Sequence, residues 1–362
     1  MQQNCIAVTG GGTGGHIYPA ISVAEALMGR GDLEICYLGS RGGMEEKIVS
    51  QMGYCFIPVS AAGVMNKSVR KQLKALHQAF IGIGEARSIL KQKQPKLIFA
   101  TGGYVSLPVI VAGWTLGIPV VLHEQNAFPG LVNRLGSLFS KNICVTFVES
   151  KAHFWKKKGI IHTGLPIRGA FHRQAEGSSK KDKDGITILV SGGSQGAKPI
   201  NDAVLAASAD LISDGYRMIL LTGEKNYLIV EEQLKERFSG TIPTQIKLLS
   251  FSDDMPKLMH QADLVISRAG ASFLAEMNAV GLTGILIPFP HAASDHQRFN
   301  AQAEQEAGAA LLLEEKELSA EKLINTIKTF NKETIERMSA SSQSYAQINA
   351  VDRIMEVLAP YL

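Results

Sequence analysis

The sequence is poor in cysteine and lacks an apolar segment long enough to cross a membrane. Its 362 residues include four cysteines, none in a C-x-x-C pair, and they lie far apart. Most of them fall in apolar, strand-like stretches, which predicts buried, reduced thiols in a cytosolic protein and excludes a disulfide-rich secreted scaffold. The longest apolar stretch, residues 107–122, is interrupted by Pro and Gly and is too short to span a bilayer.

Common cofactor and metal motifs are also absent. No glycine loop of the chain continues into the Gly-Lys-Ser/Thr that a P-loop requires. The His- and Asp-containing stretch 288–301 has neither an H-x-x-x-H nor an H-E-x-x-H spacing. We therefore expect no metal site and no bound cofactor.

Two glycine-rich stretches stand in matching contexts, one heading each half of the chain. Residues 8–19 read VTGGGTGGHIYP, and residues 186–208 read ITILVSGGSQGAKPINDAVLAAS. In both, an apolar run typical of a buried strand precedes the glycines and a helical pattern follows them. Glycines at such a turn let backbone N–H groups approach a phosphate at the positive end of the helix, although a tight turn without ligand is the alternative. The repeat predicts two α/β domains.

Polar side chains collect where the predicted strands of the first half end. In parallel α/β sheets these carboxyl ends line the ligand crevice. The residues at such positions are His16, Thr101, Tyr104, His123, Glu124, Gln125 and Asn126. Together they predict a binding or catalytic site more strongly than any one of them alone.

The second half carries a similar signal after its strand ADLVIS. The segment SRAGASFLAE, residues 267–276, has small residues that leave the N–H groups at a helix start open to a ligand. Glu276 lies within the first two turns, where a carboxylate could bind a ribose diol, although capping and packing explain these residue types equally well. The loop 288–301 adds His291, Asp295, His296 and Gln297, which suit sugar hydroxyls.

Positive charge is concentrated in the first half. Residues 66–96 contain eight Lys or Arg and one acidic residue, Glu85, whereas residues 301–362 contain ten acidic and six basic residues. Leu73, Leu76, Phe80 and Ile83 recur at helical spacing within the basic segment. The segment is either an ordinary amphipathic helix or a surface helix that rests on an anionic membrane.

One competing motif predicts a different chemistry. Residues 192–196 read GGSQG and fit the G-x-S-x-G nucleophile elbow around Ser194. Asp263 and then His291 or His296 follow in the order of a serine hydrolase. That hypothesis leaves the first glycine loop and the HEQN stretch without a role.

Seven segments, taken in order, resemble the MurG family of glycosyltransferases. They are GGTGGHIYPA, ATGGYVSLP, HEQNAFPG, GLPIR, SGGSQGA, SRAGASFLAE and DHQ followed by NA, and they span residues from about 8 to 300. Members of this family transfer N-acetylglucosamine (GlcNAc) from UDP-GlcNAc to undecaprenyl-diphospho-muramoyl-pentapeptide (lipid I), giving lipid II, in peptidoglycan synthesis. The resemblance implies this inverting hexosyltransferase activity, without a metal; a non-catalytic UDP-sugar sensor on the same fold is a further alternative.

The resemblance also implies a GT-B fold of class α/β, with two Rossmann-like parallel-sheet domains facing a cleft. Residues 1–164 would form an acceptor- and membrane-facing domain, and residues 165–340 a UDP-GlcNAc-binding domain. The segment 341–362, with a helix from about 343 to 358, would return to the first domain.

Site residues follow from the resemblance position by position. The donor contacts would be Arg168 and Ser252 beside the uracil, Ser194 at the diphosphate, Arg268, Ala271, Ser272, Phe273, Leu274 and Ala275 around the nucleotide, Glu276 on the ribose and Gln297 on the sugar. On the acceptor side, Thr13, Gly14, Gly15 and Asn126 match family positions. A general base should reach the acceptor hydroxyl, with His16 as first candidate, Glu124 as second and Tyr104 as a positioning group.

The lipid acceptor implies a peripheral protein at the cytoplasmic face of the cell membrane. The helix in residues 66–96, with Lys141 and residues 156–158, would dock on an anionic membrane surface. Expected partners are UDP-GlcNAc, the lipid-linked muramoyl-pentapeptide and other cell-wall synthesis proteins, with roles in cell shape and division, and no nucleic acid.

Overall fold

The chain folds into two compact units. The structure is a computed structural model that describes residues 4–31, 33–62, 69–167, 169–171, 185–193 and 195–362. For residues 69–76 it describes the backbone only. Unit 1 comprises Met1–Ile167 and Asn349–Leu362, and unit 2 comprises Arg168–Ile348. Each unit is built on one parallel sheet, so the predicted α/β class with two Rossmann-like domains is confirmed.

Unit 1 contains a seven-stranded sheet in the order β3-β2-β1-β4-β5-β6-β7. All of its strand pairs run parallel. The strands are β1 (Cys5–Thr9), β2 (Glu34–Ser40), β3 (Cys55–Val59), β4 (Ile98–Ala100), β5 (Val120–Glu124), β6 (Asn142–Val145) and β7 (Ile160–His162). The helices that follow them are α1 (Gly14–Met28), α2 (Met44–Gln51), α3 (Val69–Lys93), α4 (Ser106–Thr115) and α5 (Leu131–Gly136).

Strand alternation produces a three-layer core in unit 1. Ile6 and Val8 on β1 pack toward α1, whereas Cys5 and Ala7 point to the opposite face, toward α3 and α4. Because β1 is buried on both faces, it reads as a continuous apolar run, as expected of a central parallel strand.

Unit 2 repeats this design with a six-stranded sheet in the order β10-β9-β8-β11-β12-β13. The strands are β8 (Thr187–Ser191), β9 (Arg217–Leu221), β10 (Ile246–Leu249), β11 (Leu264–Ser267), β12 (Thr283–Leu286) and β13 (Leu311–Leu312). The helices are α6 (Lys198–Ser213), α7 (Tyr227–Arg237), α8 (Met255–Gln261), α9 (Ala271–Ala279), α10 (His296–Glu306), α11 (Ala320–Ile327) and α12 (Lys332–Tyr345).

The last predicted helix is divided in two, which corrects the sequence expectation. The helix expected from about 343 to 358 is interrupted, because Ala346 adopts an extended backbone after α12 and a new helix, α13 (Ala350–Leu358), begins four residues on. No Gly or Pro marks this break in the sequence. Helix α13 buries Ile354, Met355 and Leu358 in the core of unit 1, whereas residues 341–348 lie in unit 2 rather than with the returning segment.

One short strand was not identified from the sequence. Residues 160–162 form β7, which pairs with β6 at the edge of the first sheet. A strand of only three residues is too short to give a recognisable periodic signal.

The strand order of each sheet reverses at one point, and this locates a candidate site. In unit 1 the chain turns back between β1 and β4, and in unit 2 between β8 and β11. Ligands of open α/β sheets bind outside the carboxyl ends of the strands at this switch point. Both glycine loops, after β1 and after β8, lie at that position in their units.

Candidate active site

The first glycine loop joins β1 to α1 with an unusually close backbone approach. A Cβ on Gly10 would lie 1.9 Å from Thr101 Oγ1, so only glycine fits there. The Thr101 hydroxyl donates to the carbonyl of His16 at 2.7 Å and so ties the end of β4 to the first turn of α1. Thr13 caps α1 with an extended backbone and no side-chain hydrogen bond. The N–H groups of the first turn therefore have no side-chain cap.

Glu45 holds this loop from the side, and the sequence analysis did not identify it. Its fully buried carboxylate accepts hydrogen bonds from the backbone N–H of Gly12 at 3.1 Å and of Ser40 at 2.9 Å, and from the Ser40 hydroxyl. The only available signal was an acidic residue in the first turn of α2.

Three side chains form a hydrogen-bonded chain at the carboxyl ends of β1, β4 and β5. His16 Nδ1 lies 3.0 Å from Gln125 Oε1. Gln125 Nε2 lies 3.0 Å from the Thr101 carbonyl oxygen and 3.0 Å from His123 Nδ1. His123 Nε2 lies 2.9 Å from the carbonyl oxygen of Gly164. The polar residues predicted to gather at strand ends therefore do so within unit 1.

Burial disfavours the charged form of both histidines in this hydrogen-bonded chain. Desolvation lowers the pKa of His16, opposed by its hydrogen bond to Gln125, by the nearby Thr101 backbone carbonyl and by the negative charge of Glu45. Burial lowers the pKa of His123 to about 4. A neutral imidazole at physiological pH can accept a proton, which is what a general base requires.

The carboxylate of Glu124, the second candidate base, is engaged in four hydrogen bonds. Its carboxylate accepts hydrogen bonds from the backbone and the side chain of Asn126, from Gly130 N and from Asn133 Nδ2, at 2.8–3.1 Å. Burial raises its pKa, and these donors oppose the rise. With four donors on two oxygens, Glu124 fixes the turn between β5 and α5.

The remaining acceptor-side candidates surround the same loop. The Tyr104 ring lies 3.1 Å from where a Cβ on Gly12 would stand, so it packs over the loop. Thr13 and Gly15 are exposed, whereas Gly14, Tyr104 and Asn126 are partly buried.

In unit 2, the start of α9 presents backbone N–H groups at the switch point. Gly270 caps the helix with no side-chain hydrogen bond, and the first helical bond runs from Leu274 N to the Gly270 carbonyl. Three N–H groups precede that bond, which makes this turn a fitting anion or nucleotide contact. The loop after β8 lies one strand away, and its Ser194 falls outside the described residues, as does Arg168.

Arg268 connects the ends of two neighbouring strands of unit 2. Its guanidinium donates to the carbonyls of Ile287 and Pro288 at 3.1 and 3.0 Å, pairs with Glu315, and lies 5.4 Å from the Phe289 ring centroid. These contacts tie the carboxyl end of β11 to that of β12. Arg268 therefore fixes the loop that follows β12 beside the start of α9.

The other donor-side candidates divide by burial. Ala271 and Leu274 are buried, so only their backbone faces a ligand, while Ser272, Phe273, Ala275 and Glu276 are partly exposed. Ser252 Oγ, also partly exposed, accepts from Asp254 N at 3.2 Å.

The loop before α10 is held in a strained conformation. Ser294 and Asp295 have φ values of 53° and 55°, which side-chain-bearing residues rarely adopt. Beyond them, Gln297 Oε1 accepts from Phe289 N at 3.0 Å, and His296 Nδ1 lies 2.8 Å from the Ala293 carbonyl. The amide group of Gln297 is thereby fixed at the carboxyl end of β12.

Comparison with known proteins assigns the chain to a family. It matches the glycosyltransferase family 28 N-terminal domain over residues 6–145 and the family 28 C-terminal domain over residues 187–358. It is 38% identical over 365 aligned residues to the UDP-N-acetylglucosamine--N-acetylmuramyl-(pentapeptide) pyrophosphoryl-undecaprenol N-acetylglucosamine transferase of Desulfitobacterium hafniense, covering 97% of this chain and 98% of that protein. The chain belongs to glycosyltransferase family 28.

Further family 28 relatives agree along the whole length. The transferase of the same name from Caldicellulosiruptor saccharolyticus is 38% identical, with 99% of this chain and 98% of that protein covered. The crystal structure of Acinetobacter baumannii MurG superposes with a TM-score of 0.82 at 26% identity, covering 98% and 99% of the two chains. The resemblance drawn from the sequence motifs is confirmed.

The serine hydrolase hypothesis is wrong for this family 28 chain. Asp263 precedes β11, where its carboxylate accepts from Thr187 N at 2.9 Å. Thr187 opens β8, whereas the GGSQG loop follows the other end of that strand, roughly 13 Å away at the usual rise per residue. Asp263 therefore lies at the amino edge of the sheet, opposite the carboxyl edge from which the GGSQG loop starts.

Three cysteines lie closer together than their spacing indicated. Cys5 Sγ and Cys36 Sγ are 3.1 Å apart and buried, and Cys36 pairs across β2 and β3 with Cys55. Cys55 is exposed, which corrects the expectation that the thiols in strands are all buried. Glu34 Oε1 lies 3.6 Å from Cys36 Sγ but is engaged by Lys93 Nζ at 2.8 Å. This cluster is at the amino edge of the sheet, away from the glycine loop.

No helix among the described residues of this family 28 chain combines the length and apolar character needed to cross a bilayer.

Proposed function

We propose that this glycosyltransferase moves GlcNAc from UDP-GlcNAc to the muramoyl C4 hydroxyl of lipid I, giving lipid II and UDP, in peptidoglycan synthesis. The relatives that match over nearly their full length carry this transferase name. The observation that carries the proposal is the position of the His16 imidazole, hydrogen-bonded to Gln125 beside a glycine loop at the switch point of unit 1.

His16 is the proposed general base. Its imidazole takes the proton of the C4 hydroxyl while the hydroxyl oxygen attacks the anomeric carbon of GlcNAc from the side opposite UDP. The bond between that carbon and the β-phosphate oxygen breaks, UDP leaves with the bonding pair, and the anomeric configuration inverts. Glu124 is the weaker candidate, because its two oxygens already accept four hydrogen bonds.

Unit 2 is the proposed donor site. The N–H groups at the start of α9 and in the loop after β8 face the diphosphate, where they stabilise the charge that develops on departing UDP. Glu276 binds the ribose diol, Gln297 binds the sugar hydroxyls, and Arg168, Ser252 and Ser194 complete the nucleotide contacts. Arg268 supports this site through its bonds to the Ile287 and Pro288 carbonyls.

On the acceptor side, the start of α1 binds the diphosphate of lipid I. Glu45 already occupies the N–H of Gly12, so the first-turn N–H groups of Gly14 and Gly15 are the donors. Thr13 and Asn126 contact the acceptor at the rim, and Tyr104 positions it.

Unit 1 is also the proposed membrane-facing unit, which places the protein peripherally at the cytoplasmic face. One group of its exposed apolar side chains lies on α3, α4, α5 and the turn after α5, where α4 packs against both α3 and α5. We call them the apolar patch: Phe80, Ile81, Trp114, Leu131 and Leu138. Arg87 on α3, bonded to Thr115, and exposed Lys141 supply positive charge nearby. Leu73 and Leu76 were expected in this role from the sequence, but their side chains lie outside the part of the chain that the structure describes.

The test is transfer of labelled GlcNAc from UDP-GlcNAc to a short-chain lipid I analogue in the presence of EDTA. We expect one UDP released per labelled lipid product and a β-linked disaccharide, as inversion of the α-linked donor requires. Binding of UDP-GlcNAc without turnover would favour the sensor hypothesis. Labelling of Ser194 by a fluorophosphonate probe, without transfer, would contradict the proposal.

A further inference from the structure

Gln125 lies between two histidines, and its amide group can be oriented in only one way. Its Nε2 lies 3.0 Å from the Thr101 carbonyl oxygen and 3.2 Å from the His123 carbonyl oxygen. Carbonyl oxygens only accept hydrogen bonds, so the atom facing them must be the NH2 group. A flipped amide would set oxygen against oxygen in a side chain that is 2% exposed.

This orientation determines which nitrogen of His16 carries the proton. Gln125 Oε1, which can only accept, faces His16 Nδ1 at 3.0 Å. Nδ1 must therefore carry the hydrogen, and the lone pair of the neutral ring resides on Nε2. A base at Nε2 is what the proposed reaction needs, because that atom points away from the Gln125 contact.

The second histidine is held in the opposite tautomer. Its Nε2 lies 2.9 Å from the Gly164 carbonyl oxygen and must donate to it. His123 Nδ1 is then an acceptor and receives the second hydrogen of the Gln125 amide at 3.0 Å. The Thr101 carbonyl fixes His16 through Gln125, the Gly164 carbonyl fixes His123 directly, and each of these contacts joins a donor to an acceptor.

We propose that Gln125 is a positioning residue that holds His16 in the Nδ1–H tautomer, leaving Nε2 to act as the base. The catalytic consequence of this inference rests on the proposed function. The tautomer assignment itself rests only on the hydrogen bonds of Gln125. An orienting partner of this kind acts as the carboxylate does beside a catalytic or metal-bound histidine, except that an amide adds no charge. Without the charge, the pKa of His16 stays low and the ring stays neutral.

The first measurement needs no variant. Long-range 1H–15N correlation spectra of the full-length protein with 15N-labelled histidine, at neutral pH, report which ring nitrogen is protonated. We expect His16 protonated at Nδ1 and His123 protonated at Nε2, with the signals assigned through His16→Gln and His123→Gln. Protonation of His16 at Nε2 in the wild type would overturn the inference.

Two substitutions then separate positioning from packing. Gln125→Leu removes both hydrogen bonds, and we expect His16 to lose its single tautomer while His123, held by Gly164, keeps its own. The kcat should fall about 10- to 100-fold, with UDP-GlcNAc affinity unchanged, as for other orienting partners. A Gln125→Leu protein with wild-type kcat, or with the His16 tautomer intact, would contradict the role.

Gln125→Glu keeps the oxygen that accepts from Nδ1. Its second oxygen faces the Thr101 and His123 carbonyls, so the buried carboxyl retains its proton and donates it to one of them. The variant should therefore keep the Nδ1–H tautomer of His16 and recover part of the kcat lost in Gln125→Leu. A folded Gln125→Glu protein with the kcat of Gln125→Leu would count against Gln125 acting through His16.

The two proposals can fail separately. Wild-type protein with the expected tautomers but no GlcNAc transfer would contradict the proposed function while supporting the role of Gln125 in fixing the ring. Transfer by a wild-type protein with the opposite His16 tautomer would support the proposed function and contradict the role of Gln125.

Discussion

The carboxylate of Glu45 accepts the backbone N–H of Gly12 at 3.1 Å, and this contact joins helix α2 to the glycine loop before α1. The second oxygen of Glu45 accepts from Ser40, at the end of β2. One buried side chain thus connects the ends of two neighbouring strands. The position of the loop depends on this carboxylate as much as on the glycines.

Replacing Glu45 should destabilise unit 1. Glu45→Ala leaves the buried N–H groups of Gly12 and Ser40 without an acceptor, and we expect a loss of about 3 kcal/mol in the free energy of unfolding. Urea denaturation followed by tryptophan fluorescence reports this unit, because the two tryptophans, Trp114 and Trp155, both lie in it.

The matched control is Glu46→Ala on the same turn of α2. Glu46 is only partly buried and accepts a bond from exposed Gly42 N, so its loss should cost about 1 kcal/mol or less. Equal costs for the two variants would show that the contact with Gly12 carries no special weight.

Acid should weaken unit 1 through His123. The pKa of this residue is about 4 in the folded protein and about 6.5 in an unfolded chain, so the unfolded state binds more protons between these values. The contribution of His123 to the free energy of unfolding is fully present above pH 6.5 and is lost as the pH falls toward 4. Between pH 7 and pH 5 the expected loss from this group is about 2 kcal/mol.

Comparison with His123→Gln isolates that contribution. The variant has no titrating ring at this position. From pH 7 to pH 5, its free energy of unfolding should therefore decrease by about 2 kcal/mol less than that of the wild type. Groups that do not contact His123 or Gln125, including His162, whose pKa is also lowered by burial, titrate equally in both proteins. Parallel pH dependences of the two proteins would contradict a buried neutral His123.

The apolar patch should govern binding to anionic vesicles. Trp114 and Leu138 are 55% and 53% exposed, and changing both to Ser removes exposed area from the apolar patch. We expect vesicle sedimentation to fall at least tenfold, and the remaining binding to weaken further with salt.

Unit 2 supplies the control for this experiment. Leu228 and Ile229 on α7 are 73% and 57% exposed, so their change to Ser removes a similar apolar area elsewhere. That variant should bind vesicles as the wild type does. A similar loss in both variants would mean that exposed apolar area in general, rather than the apolar patch, drives binding.

The sequence predicted the architecture well because its signals are local. Apolar runs, glycine turns and helical periodicity place nearly every strand and helix, and the doubled glycine loop gives the two units. The break at Ala346 and the short strand Ile160–His162 were missed, since neither carries a Gly, a Pro or a strong period.

The site was predicted as a set of residues but not as a network. Strand-end positions brought His16, Glu124 and Gln125 to attention, yet the pairing of His16 with Gln125 joins residues 109 positions apart. Pattern reasoning also ranked Glu124 as a base without the four donors that occupy it. Glu45, which is buried, and Glu315, which is partly buried, went unnoticed because the sequence does not distinguish a carboxylate that is engaged inside the protein from one at the surface.

The central claim is that the imidazole of His16 serves a sugar transfer whose donor binds in unit 2. The decisive measurement is GlcNAc transfer to the lipid I analogue in EDTA by wild type and His16→Ala, with UDP-GlcNAc affinity measured on the same samples. We predict transfer by the wild type, a loss of about 10²- to 10⁴-fold in kcat for His16→Ala, and equal donor affinity. Transfer by His16→Ala at the wild-type rate would contradict the account.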